Sequence, residues 1–188
     1  MVLSQVSGLI LAGGYSSRMG KEKAELPFRG KTLLEHQIQK LRSLGLSEVY
    51  VCGYEKPVMG ATLIPDIYPH RGPLSGIHAG LHAVETLAAL VLAVDIPLVP
   101  EDFLRELITF HEKGITIATL EGKREPLLGV YDASLSPLCE ELLFGEDRSV
   151  RSLLSKVSLH CLPYEGDPAL LMNCNKPEDY EKVLNFPA

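Results

Sequence analysis

The chain contains no C-x-x-C pair; its four cysteines, Cys52, Cys139, Cys161 and Cys174, are scattered over 188 residues. That spacing argues against a zinc ribbon, a thioredoxin-type redox site and a disulfide framework. Long apolar runs are missing as well. The longest, Leu87 to Val94, is too short to cross a bilayer, and the N-terminus lacks the basic region that opens a secretory signal. A cytoplasmic, reducing setting is therefore expected, with no membrane. There is no repeat and no low-complexity tract. Nor is there a cationic excess: 18 Lys and Arg stand against 24 Asp and Glu, a net charge of −6. A long nucleic acid groove needs many cations facing phosphates, so that partner is not expected. With 46% hydrophobic and 22% charged residues, the composition is that of one soluble domain spanning residues 1–188. A chain of this length buries roughly 70% of the surface its unfolded form exposes and needs no covalent staple.

The charge is unevenly spread. Between Tyr15 and Lys31 lie five cations, Arg18, Lys21, Lys23, Arg29 and Lys31, and two anions, Glu22 and Glu25. A compact basic patch on an acidic chain suits a small, highly charged anion. Strand-like runs alternate with amphipathic stretches, which predicts an α/β fold with a mainly parallel sheet. Strands are expected at 8–12, 48–52, 61–64, 90–94, 115–120, 126–131 and 159–163. The turn Glu121 to Glu125 marks a β-ribbon or antiparallel insertion. Helical spacing of Leu34, Ile38, Leu41 and Leu44 predicts a helix from Leu33, closed by Gly45. Gly72-Pro73 opens a second helix, with proline in the first turn. A third is expected over 101–110, and two short ones near 135–143 and 150–154. Asn175-Lys176-Pro177-Glu178 has a capping-box pattern and starts the last.

Ligands of open parallel sheets bind outside the carboxyl ends of the strands. Three chemically loaded segments fall there: the loop from Gly13-Gly14 to Lys23, Asp66 and Asp95. Paired glycines let backbone N–H groups approach phosphate oxygens, and Arg18, Lys21 and Lys23 supply positive charge. The loop is not a Walker A motif, because five residues separate Gly14 from Gly20 and Glu22 follows Lys21. The dinucleotide fingerprint G-x-G-x-x-G fails too. Asp95, at a strand end, reads either as a Mg²⁺ ligand beside polyphosphate or as the cap of the following turn; its place at the crevice mouth favours the metal. Asp66 reads equally as a turn aspartate and as a ligand. His78 and His82 lie four apart on a helix, but Ala79 replaces the glutamate of H-E-x-x-H, which favours a packing role. Ser16, Ser17 and Ser75 lack a nucleophile elbow.

The run Leu11-Ala12-Gly13-Gly14-Tyr15-Ser16-Ser17-Arg18-Met19-Gly20-Lys21-Glu22-Lys23 resembles L-A-G-G-x-S-x-R-M-G-x-x-K, the opening signature of nucleotidyltransferases that activate small phosphorylated compounds. Gly72-Pro73-Leu74-Ser75-Gly76-Ile77, Val94-Asp95-Ile96-Pro97 and Asn173 to Asp179 resemble later motifs of the molybdenum cofactor guanylyltransferases. The likeness spans roughly residues 6–184. It implies a single-domain Rossmann-like nucleotidyltransferase fold, with helices on both faces of the sheet and a small antiparallel element. The implied reaction transfers GMP from GTP to the terminal phosphate of molybdopterin and releases pyrophosphate, with Mg²⁺ as cofactor. The resemblance also leaves room for transient contact with a carrier of the cofactor or with its target enzymes.

Carried over by position, Leu11, Ala12, Gly13 and Gly14 contact the nucleotide, Lys23 reaches its phosphates, and Asp66 is a GTP contact. Gly72, Pro73, Leu74 and Gly76 seat base and ribose. Asp95 binds Mg²⁺ and lines the nucleotide site, and Arg18, Lys23 and Asp95 form the catalytic set. The sequence departs from the pattern at Glu22, at Cys52-Gly53-Tyr54 where relatives place an Asn near the guanine, and at Lys176. Asn175 reads as a helix cap before an active-site group. Arg124, Arg148 and Arg151 are candidates to meet the acceptor. A molybdopterin cytidylyltransferase, another small-molecule or sugar-phosphate nucleotidylyltransferase, a non-catalytic nucleotide-binding module and a plain interaction domain are the competing readings.

Overall fold

A computed structural model of the chain describes residues 1–13, 15–16 and 21–187. Seven strands form its main sheet: β1 (Val6–Leu11), β2 (Val49–Cys52), β3 (Thr62–Ile64), β4 (Ala88–Ala93), β5 (Ile115–Leu120), β6 (Lys123–Asp132) and β7 (Leu159–Pro163). Their spatial order is β7-β5-β6-β4-β1-β2-β3. All six residues of β1 and all six of β4 are buried, as central parallel strands covered on both faces should be. Strand β1 pairs in parallel with β2 and β4, and Leu11 lies opposite both Cys52 and Ala93. The three strands therefore end at one level, which creates a common carboxyl edge. Strand β6 runs antiparallel to β4 and β5, and supplies the expected antiparallel element.

Among the described residues six α-helices flank the sheet: α1 (Leu33–Leu44), α2 (Pro73–Ala83), α3 (Glu101–Phe110), α4 (Ser136–Phe144), α5 (Val150–Ser155) and α6 (Pro177–Leu184). On one face Leu34, Ile38 and Leu41 of α1 and Leu104 and Leu107 of α3 share a core with Ile10 and Leu92. On the other, Leu74 and Ile77 of α2 and Leu142 of α4 pack with Leu9 and Val91. The alternation of inward positions along β1 thus feeds two cores. Thr32 caps α1 by accepting the Glu35 N–H at 3.1 Å while the Glu35 carboxylate accepts the Thr32 N–H at 2.8 Å. Gly45, at φ 101°, ends the helix in the left-handed conformation that its position in the sequence predicts.

Local expectations change at several points; β1, for one, begins at Val6, two residues before the expected Gly8. Strand β4 begins at Ala88, two residues before the expected Leu90. Strand β6 begins at Lys123, not Pro126, and the turn shrinks to Glu121-Gly122. The ladder slips between Glu125 and Gly129, where Pro126 has no N–H to donate; a bulge absorbs the proline inside one long strand. At the start of α6 the cap is Lys176, whose N–H donates to Asp179 Oδ2 at 3.0 Å, so Asn175 is not the capping residue.

Candidate active site

The carboxyl ends of β1, β2 and β4 open onto a cavity of about 430 Å³. Leu11 and Gly13 line it from the end of β1, Cys52 and Gly53 from β2, and Ala93, Val94 and Asp95 from β4. Asp66, His70, Gly72, Pro73 and Gly76 close the side formed by the loop before α2 and by its first turns, and Lys23 and Leu127 complete the wall. Widely separated residues meet here because parallel strands deliver their ends to one edge.

The polar focus is Lys23. Its Nζ lies 2.5 Å from Asp95 Oδ2 and donates to Asn175 Oδ1 at 2.7 Å. The Lys23 and Asp95 side chains are 14% and 15% exposed, an ion pair withdrawn from bulk water yet open to the cavity. Asp95 is fixed from behind as well, since its carbonyl accepts the Cys174 N–H at 2.8 Å and the next-door Val94 N–H donates to Leu11 at 3.1 Å. Asn175, 152 residues from Lys23 in the chain, thus joins the Lys23–Asp95 pair and is not the helix cap. Glu125 faces the same field: burial first, and then the Asp95 charge, raise its carboxyl above the usual range.

Asp66 stands across the cavity. Its Oδ1 is buried without a hydrogen-bond partner among the described residues, and burial raises its pKa while the nearby His70 works in the opposite direction. A buried acceptor without a donor is costly, and a bound group offering N–H or O–H removes the cost. Gly76 keeps the space beside it open, because a Cβ there would approach Leu11 Cδ2 to 3.0 Å and Asp66 Oδ1 to 3.7 Å. Gly13 and Gly53 touch backbone to backbone. Gly53 has φ 77°, and a Cβ on it would fall 2.6 Å from Gly13 N and Cα. The Cys52 thiol, pushed up to about 12 mainly by burial, stays protonated at neutral pH and offers no nucleophile.

Other sequence candidates fall elsewhere. Ala12 is buried behind the cavity wall, its N–H donating to the Cys52 carbonyl at 2.9 Å, and Leu74 is wholly buried in the core. Gly14, Ser17 and Arg18 lie outside the described residues. Arg29 donates to the Phe186 carbonyl at 3.0 Å and Lys31 to Gln39, so these two members of the basic patch face away from the cavity. Arg148 donates to its own Gly145 carbonyl at 3.3 Å, and Arg124 and Arg151 are exposed; none of the three lines the cavity. His78 is 2% exposed and packs against Tyr68, with ring centroids 5.5 Å apart, as a packing histidine should. The Ser75 hydroxyl donates to the Tyr68 carbonyl at 2.6 Å. His70 and Leu127 carried no motif, and only the loop before α2 and the β6 bulge bring them in.

Among the described residues no group of three His, Cys, Asp or Glu side chains could enclose a metal. A magnesium ion bridging substrate phosphates needs only one or two protein carboxylates and keeps several waters. Asp95, with the Asn175 oxygen beside it, fits that smaller requirement. No helix among the described residues is long and apolar enough to cross a membrane.

Comparison with known proteins agrees with this geometry. A family model described as a MobA-like NTP transferase domain matches residues 8–161. A protein of Carboxydothermus hydrogenoformans is 32% identical over 185 residues, covering 94% of each chain, and one of Flavobacterium johnsoniae is 34% identical over 183 residues, covering 94% of this chain and 95% of its own. Both bear the name probable molybdenum cofactor guanylyltransferase. The crystal structure of molybdopterin-guanine dinucleotide biosynthesis protein A from Archaeoglobus fulgidus superposes with a TM-score of 0.81 at 25% identity, covering 95% of this chain and 96% of that one. Sheet order, cavity and sequence likeness converge on one assignment: the chain belongs to the family of MobA-like NTP transferase domains.

Proposed function

We propose that the protein transfers GMP from GTP to the terminal phosphate of molybdopterin and releases pyrophosphate. The observation that carries this reading is the Lys23, Asp95 and Asn175 assembly at the mouth of a nucleotide-sized cavity, in a chain whose relatives are named for that reaction. The nucleoside enters between the Gly13–Gly53 contact and the start of α2. Asp66 Oδ1 then gains the hydrogen-bond donor it lacks. A guanine offers adjacent N–H groups, which cytosine and uracil do not present in the same pattern.

The chemistry requires no covalent protein intermediate. A phosphate oxygen of the acceptor attacks the α-phosphorus of the nucleotide in line, that P–O bond forms, and the bond to the pyrophosphate oxygen breaks. Lys23 exchanges its pairing with Asp95 for the phosphates and meets the negative charge that grows on the leaving group. Arg18, from the same loop, adds a second cation by virtue of its place in the signature. Asp95 and Asn175 would hold the magnesium ion, which supplies Lewis-acid neutralisation of phosphate charge when bound.

Pyrophosphate release is measured with molybdopterin, Mg²⁺ and each of GTP, CTP, ATP and UTP. GTP alone is expected to support rapid release. Preference for CTP would assign the chain to the cytidylyl reaction, and release by no nucleotide would overturn catalysis altogether.

A further inference from the structure

Helix α1 carries an unusual set of buried polar side chains, and all of them reach one segment. Gln37, with no exposed surface, donates through Nε2 to the Ala93 carbonyl at 3.2 Å and the Ile96 carbonyl at 2.9 Å. Lys40, 8% exposed, donates to the Pro97 carbonyl at 2.6 Å and the Val99 carbonyl at 2.7 Å. His36 Nε2 lies 3.1 Å from the Pro97 carbonyl. Positions 36, 37 and 40 share one helix face, so a single element holds four carbonyls of the stretch that contains Asp95.

The arrangement is costly as packing. Among the described residues Gln37 Oε1 is buried with no partner, and no carboxylate pairs with the Lys40 ammonium. Burial lowers the Lys40 pKa to about 7, with the Glu101 charge acting in the opposite direction. Apolar residues at 37 and 40 would extend the α1 core without these costs, but would leave the carbonyls of the Asp95 segment without donors. That segment has little ladder of its own: beyond Ala93 its backbone bonds are those from Val94 to Leu11, from Cys174 to Asp95, and a long one from Ile96 to Ala93 at 3.4 Å.

We infer that Gln37 and Lys40, with His36 beside them, are positioning residues that hold the backbone of 93–99 so that the Asp95 carboxylate faces Lys23 and the phosphate site. The inference rests on the proposed nucleotidyl transfer for its kinetic consequence, and on the geometry alone for its structural one. A carboxylate misplaced by an ångström still permits nucleotide binding through Asp66 and the glycine contacts, but fails at the transition state.

The test compares Gln37→Met and Lys40→Met with Ile38→Ala, which loosens the core under the same helix without touching the carbonyls. For each, kcat, KM for the nucleotide, the Mg²⁺ concentration giving half-maximal rate, and amide hydrogen exchange across 93–99 are measured. Each Met variant is expected to lose about tenfold to a hundredfold in kcat, with KM within about threefold of wild type. Exchange at 94 and 96, whose amides are hydrogen-bonded within and beside this segment, should accelerate, and the Mg²⁺ requirement should rise. Lys40→Arg, which keeps N–H donors, should recover most of kcat. Ile38→Ala should lower the melting temperature while leaving kcat near wild type. Exchange in 93–99 that is unchanged in Gln37→Met, or kcat losses no greater than those of Ile38→Ala, would overturn the inference. If the wild type turns over no nucleotide, the proposed function fails, and the exchange measurement still decides the positioning role.

Discussion

Replacing Lys23 with methionine keeps the length of the side chain and removes its charge. In the free protein the loss is felt as stability, because Asp95 Oδ2 and Asn175 Oδ1 lose a donor at 2.5 and 2.7 Å. Breaking a fully buried pair costs about 3–5 kcal/mol and an exposed one about 0–1. With both side chains about one-seventh exposed and open to the cavity, about 1–2 kcal/mol is the reasonable range. For a protein of this size that shifts the melting temperature by about 2–8 °C. Turnover should suffer far more, since removing one charge-stabilising contact from a transition state costs about a hundredfold to a thousandfold in rate. The double variant with Asp95→Asn should be scarcely slower than the worse single variant, because groups that act as a unit are not additive. Single-turnover rates and thermal unfolding on the same preparations separate the two effects. Near-normal turnover in Lys23→Met would refute the reasoning, as would a rate loss fully accounted for by unfolded protein.

Two further perturbations address other parts of the account. Asp66→Asn keeps the shape but removes the buried carboxylate, so GTP affinity should fall about tenfold or more, while thermal stability holds or rises; unchanged GTP affinity by calorimetry would remove Asp66 from the nucleotide site. Burial, aided by the Lys40 charge, lowers the His36 pKa from 6.5 to about 4. The unfolded chain then binds the proton that the folded one refuses, so His36 makes stability rise with pH between about 4 and 6.5 and costs nothing above that window. The difference in unfolding free energy between wild type and His36→Leu should therefore change in this window, with wild type gaining on the variant as pH rises, and a pH-independent difference by urea titration would contradict it.

Much of the fold is legible in the residues because punctuation and periodicity agree. Gly45 stops α1, Pro73 opens α2, and the unbroken apolar run of β4 announces a strand covered on both faces. The strand ends then mark the cavity edge, and with it Gly13, Lys23, Asp66 and Asp95. Long-range pairing is less accessible. Asn175 carries a sound local pattern for a cap, yet a lysine far upstream claims its side chain, and the neighbouring backbone N–H of Lys176 caps through Asp179 instead. Gln37 and Lys40 carry no signal of their own in the sequence; only the tertiary placement of the 93–99 segment shows why polar groups are buried there. The basic patch divides for a similar reason, since charge density along the chain carries no direction. Lys23 turns inward, whereas Arg29 donates to the Phe186 and Pro187 carbonyls. In β6 the proline hides only the strand's first residues, 123–125, and the bulge beside it delivers Leu127 to the cavity wall.

Guanylyl transfer is tested most directly by quantifying both products of one incubation of purified protein with molybdopterin, Mg²⁺ and GTP: pyrophosphate and the guanine dinucleotide, the latter by mass. They should appear in equal amounts, CTP in place of GTP should yield neither at a comparable rate, and Asp95→Asn should abolish both together. Pyrophosphate without the dinucleotide, or a cytosine dinucleotide in its place, would contradict guanylyl transfer.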